Sequence, residues 1–120
     1  MGYVMGIEEL TWKVLKREVK IDAMDSYTLY YIYSIMIALK QRLISAREKY
    51  PEELQPLKPI IELVDELIEN IYPRVKDMDI CYAVLESSEQ IAKAASKRIF
   101  GKIVRKIAGN QQSFLLFLNP

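Results

Sequence analysis

Tyr27-Thr28-Leu29-Tyr30-Tyr31-Ile32-Tyr33-Ser34-Ile35-Met36-Ile37 is the stretch on which the fold turns. Aromatic and β-branched residues crowd it, as they would in a buried strand. The apolar pattern does not stop there. It runs on through Leu39, Leu43 and Ile44 to Glu48 without a Gly or a Pro. Such a run outlasts an ordinary strand and predicts a helix over 27–48. Its first half is apolar almost all round, which predicts burial on more than one side. Its second half is amphipathic, with Leu39, Leu43 and Ile44 inward and Lys40, Arg42 and Arg47 outward. Asp25 or Ser26 is placed to cap it, because a short side-chain oxygen accepts from an unpaired first-turn N–H.

Working outward, the pattern Ile7, Leu10, Val14, Leu15 predicts a first helix over 7–19. After the long helix, Pro51, Pro56 and Pro59 break the chain and predict a loop over 50–59. Ile60, Ile61, Val64, Leu67, Ile68 and Ile71 then predict a third helix over 59–72, with Glu62, Asp65, Glu66 and Glu69 on its other face. Pro73 is expected to stop it and to open a fourth over 74–85. Ser87-Ser88-Glu89-Gln90 fits a capping box, in which two side chains satisfy two orphan N–H groups. It predicts a fifth helix over 87–108, closed by Gly109. The expected fold is an all-α bundle of five helices in a single helical domain, residues 1–120. Ile61, Val64, Leu67, Ile99, Ile103 and Ile107 are its expected core.

Composition narrows the chemistry. The 120 residues include 17 Lys+Arg, 16 Asp+Glu and no His. The commonest general base is therefore missing, and so is a frequent metal ligand. Cys81 stands alone, so no disulfide can form within the chain, and in its apolar context a buried thiol is expected. No glycine-rich phosphate loop occurs. No catalytic, metal or cofactor residues are assigned, and a non-enzymatic protein is expected. The first residues carry no secretory signal and no apolar run reaches membrane-spanning length, so a cytoplasmic protein without membrane contact is expected. Abundant Ile, Lys, Glu and Tyr, with three Asn and five Gln, suggest a thermophilic source.

The near-zero net charge conceals segregation. Residues 48–86 carry four basic and ten acidic groups, whereas residues 87–120 carry six basic and one acidic. On the last helix Arg98, Lys102, Arg105 and Lys106 fall within about 100° of one another. Such a row suits a protein partner or, weakly, nucleic-acid phosphates; a solvated face is its plainest reading. The tyrosines, Tyr30 and Tyr31 among them, suit a core or an interface. The run Phe114-Leu115-Leu116-Phe117-Leu118 is too apolar for a free tail. The expected partner-binding residues are therefore Arg98, Lys102, Arg105, Lys106, Tyr30, Tyr31, Phe114 and Phe117. The expected partners are protein subunits, in a homodimer or a hetero-oligomer.

Three places carry a family resemblance. Asp25-Ser26-Tyr27 opens the long helix, Ala95-Ser96-Lys97-Arg98-Ile99-Phe100-Gly101-Lys102-Ile103 forms the last one, and Leu118-Asn119-Pro120 follows it. Taken in this order they resemble the α-helical A domain of an archaeal GINS subunit. Arg98 precedes Lys102 by four residues, where the family pattern has three, and the family's small β-rich domain is not seen. The resemblance implies a non-enzymatic scaffold linking the replicative helicase to its partners at the DNA replication fork. Two alternatives remain on the residues alone. One is a small nucleic-acid-binding subunit of an RNA-guided defence complex. The other is a free-standing homodimeric helical protein.

Overall fold

A computed structural model describes the backbone of residues 2–109 and the side chains of residues 6–107. Phe114 and Phe117 lie outside the described residues. Four α-helices and one 3-10 turn make up the described part, and no strand occurs in it: α1 (Gly2–Leu15), the turn Ile21–Ala23, α2 (Ser26–Lys49), α3 (Leu57–Val75) and α4 (Tyr82–Gly109). The all-α class holds, but with four helices rather than five.

α2 is the central element. It packs α3 on one side and α4 on the other, and these two make little contact with each other. Leu29, Ile32, Ile35, Met36, Leu39 and Leu43 are fully buried, which accounts for an apolar pattern too broad for one neighbour. Asp25 caps α2, accepting from the Thr28 N–H at 2.7 Å. That N–H, helped by the Thr28 hydroxyl, holds the Asp25 carboxyl below the usual carboxylate range. Lys40 pairs with Asp65, and Tyr33 meets Tyr72, so α3 runs antiparallel to α2. Arg42 reaches Ser96, and the loop after α2 lies beside Val104 and Ile107. α4 therefore runs in the same direction as α2.

The expected fourth helix over 74–85 does not form. α3 continues through Pro73 to Val75, a linker follows, and α4 starts at Tyr82, ahead of the serines. Pro73 removes one N–H only three residues from the helix end. Glu69, whose carbonyl loses that donor, is exposed to water. The serines sit inside α4. Ser88 is buried and donates to the Leu85 carbonyl at 2.8 Å, so its hydroxyl is satisfied without capping anything. Cys81, placed in the linker, is exposed and not buried.

α1 spans Gly2–Leu15, displaced toward the N-terminus from the expected 7–19. It ends in a Schellman motif: Glu18 N–H bonds the Lys13 carbonyl and Arg17 N–H bonds that of Val14, with Arg17 at φ 63°. Arginine is an unusual occupant of a left-handed position that glycine fills without strain, so the sequence carries no stop signal there. Of the expected core, Val64, Ile99 and Ile103 are buried, while Ile61, Leu67 and Ile107 are half-buried. The α3 seam is centred instead on Leu57, Ile60, Val64 and Ile71.

Candidate interaction surface

Among the described residues, no helix packs on one long side of α2. Tyr27, Tyr30, Ser34, Ile37, Gln41 and Ser45 recur at three- and four-residue spacing and share that side. Tyr27 is 53% exposed and Ile37 36%. Between this stripe and the flank of α4 lies an open groove of about 940 Å³. Its floor is small or apolar: Ser34, Ile37, Ala38, Ala46 and Ala92. Tyr30 and Tyr33 stand at one end, Tyr50 and Phe100 at the other. Arg42, Lys49, Lys93 and Glu89 supply its charges.

The Arg42 guanidinium fixes the α2–α4 wall. Its Nε donates to Ser96 Oγ at 2.9 Å and its Nη2 to the Lys93 carbonyl at 3.2 Å. Ser96 is fully buried, and this pairing satisfies its hydroxyl oxygen at the seam. Apart from Tyr50, just past the end of α2, the groove is lined by residues of two helices that this contact joins.

The sequence-predicted residues separate into different environments. Arg98 donates from Nε and Nη2 to Glu8 Oε1 of α1, at 2.7 and 2.6 Å. That carboxylate raises the guanidinium's already high pKa, so Arg98 stays charged throughout the working range. Lys102 is half-buried, with its ammonium 5.1 Å from the Trp12 ring centre on α1. These two residues tether α1 to α4. Lys106 is half-buried, and Arg105 is exposed. Tyr31 is buried in the core, edge-to-face with Tyr30, whereas Tyr30 lines the groove. The four basic residues thus do not present one free row.

Ala38, Phe100 and Lys93 were not singled out by the sequence, and Ile37 only as the end of the 27–37 stretch. The signal available was the run of small residues Ser34, Ala38 and Ser45 on an otherwise bulky helix. It marks a side where something can approach closely. Among the described residues no three carboxylate or thiol side chains gather as a metal site would require, and no helix is long and apolar enough to cross a membrane. Comparison with protein-family profiles, curated proteins and solved structures finds no match to this chain.

Proposed function

We propose that the chain is a non-enzymatic helical interaction subunit that joins another helical protein through the uncovered side of α2. The observation that carries this reading is the groove itself. Among the described residues, the uncovered side of α2 and the flank of α4 leave a largely apolar groove, with aromatic residues at its ends, open to solvent. Contiguous apolar surface of this kind marks association sites more often than it occurs by chance on a monomer. Exposed tyrosines suit such a site because they bury large area at low conformational cost.

The GINS resemblance gives this reading its specific form, a scaffold that links a replicative helicase to its partners. Its support lies in residues 25–27, 95–103 and 118–120. Recognition of nucleic acid by the last helix is less well supported, because Arg98 and Lys102 are engaged with α1.

The test is co-purification of the tagged chain from its native background, wild type against Ile37→Glu. The wild type should retain a protein subunit at fixed stoichiometry. Ile37→Glu should lose it with an unchanged melting temperature. Helicase components among the retained subunits are the outcome the GINS form requires. A wild-type chain that elutes alone at monomer mass would sink the reading.

A further inference from the structure

The partner that the uncovered face fits best is a second copy of this chain. We propose that α3, α2 and α4 together form a self-complementary dimer interface, an inference that rests on reading the α2 side as an association surface. The argument is one of charge and height. Lys40 and Arg42 lie within one turn of each other on α2. Lys40 reaches Asp65 on α3, and Arg42 reaches the Lys93 carbonyl on α4. Asp65 and Lys93 therefore stand at the same height on opposite sides of the apolar stripe.

The two sides carry opposite charge. On α3, Glu62, Asp65 and Glu69 share a face at spacings of three and four, with both glutamates exposed. On α4, Lys93 and Lys97 are exposed one turn apart, and Glu89, a turn earlier, is the acidic exception on that edge. This is the segregation of acidic middle and basic end, set side by side in space. Between them lie Ile37, Tyr30 and the exposed Tyr27 and Tyr72.

A dimer made by one twofold axis uses the same patch on both copies, so the patch must complement itself. An axis lying in the face and running along α2 exchanges left with right and leaves height unchanged. It lays α4 of one copy over α3 of the other. Lys93 and Lys97 then approach Glu62, Asp65 and Glu69 of the second copy, twice over, while the two α2 stripes meet in the middle. An axis across α2 would set α4 on α4 and α3 on α3, like charge on like. The size is adequate. α2 is about 36 Å long at 1.5 Å per residue. Two interhelical spacings of about 8–10 Å give the width. The face is then on the order of 700 Å², close to the ~800 Å² per partner of a standard interface.

A charge-swap pair tests this. One variant carries Lys93→Glu and Lys97→Glu, which makes both edges acidic. The other carries Glu62→Lys and Glu69→Lys, which makes both edges basic. All four positions are exposed, so circular dichroism and dilute melting should be unchanged. At tens of micromolar, light scattering should give a dimer for the wild type and a monomer for each variant alone. An equimolar mixture should form a heterodimer, read by native mass spectrometry. Three results would each overturn the proposal: a monomeric wild type, a variant that still dimerises alone, or a mixture that stays monomeric. The Ile37→Glu co-purification can succeed when these fail, so a different partner on the same groove is distinguished from a second copy.

Discussion

The two sides of α2 belong to one helix, yet they differ in composition and live in different solvents. Inward, Leu29, Ile32, Ile35, Met36, Leu39 and Leu43 are sealed by α1, α3 and α4. Outward, Tyr27, Tyr30 and Ile37 are interrupted by Ser34, Gln41 and Ser45; Tyr27 and Ile37 are exposed and Tyr30 is half-buried at the groove. Branched aliphatic residues dominate the inner side, where close packing rewards every methyl group. The outer side mixes aromatic, small and polar residues, a composition that tolerates contact with water. The difference teaches that apolar density alone does not locate a core. The interruptions do.

The largest effect is expected on the inner side. Leu39→Ala should cost about 2–5 kcal/mol, from lost transfer energy plus the cavity left among α2, α3 and α4. Chemical denaturation of the full chain measures it. A loss below about 1 kcal/mol would mean that the two sides differ less than their burial implies.

A smaller effect belongs to α4, where the basic row is also divided by environment. Lys102→Ala should cost about 0.5–1 kcal/mol, because the ammonium lies over Trp12. Arg105→Ala, at an exposed position, should stay within about 0.5 kcal/mol. Equal losses at the two positions would show that the row acts as one patch after all.

The smallest effect is set by pH at the point where α2 begins. The folded-state pKa of Asp25 lies below its unfolded value, so the cap's contribution is present above the ordinary Asp range. It is lost as pH falls through the lowered folded value. The melting-temperature gap between wild type and Asp25→Ala should be constant near neutrality and close below about pH 4. Asp25→Asn keeps an acceptor and should keep the cap without this dependence. A gap that persists unchanged in acid would place the cap's effect elsewhere.

The sequence alone determined the all-helical class, because a period of 3.6 that persists without Gly or Pro over twenty residues has one regular backbone to express it. It narrowed the cap of α2 to Asp25 or Ser26, between which the structure chose Asp25, and it predicted burial of α2 on more than one side, since capping is local chemistry and all-round apolarity has one usual cause. It did not determine the helix count. Pro73 near a helix end costs little when water serves the freed carbonyl, and Ser88 can spend its hydroxyl on its own helix. It did not mark the end of α1, because the left-handed residue there is an arginine. It also placed functional weight on a basic row that α1 divides, and on Tyr31, which the core takes. Only the tertiary structure decided which side of α2 stayed open, and that acidic α3 and basic α4 flank that side at equal height. Both follow from distances between residues far apart in the chain, and periodicity along one helix carries no information about those distances.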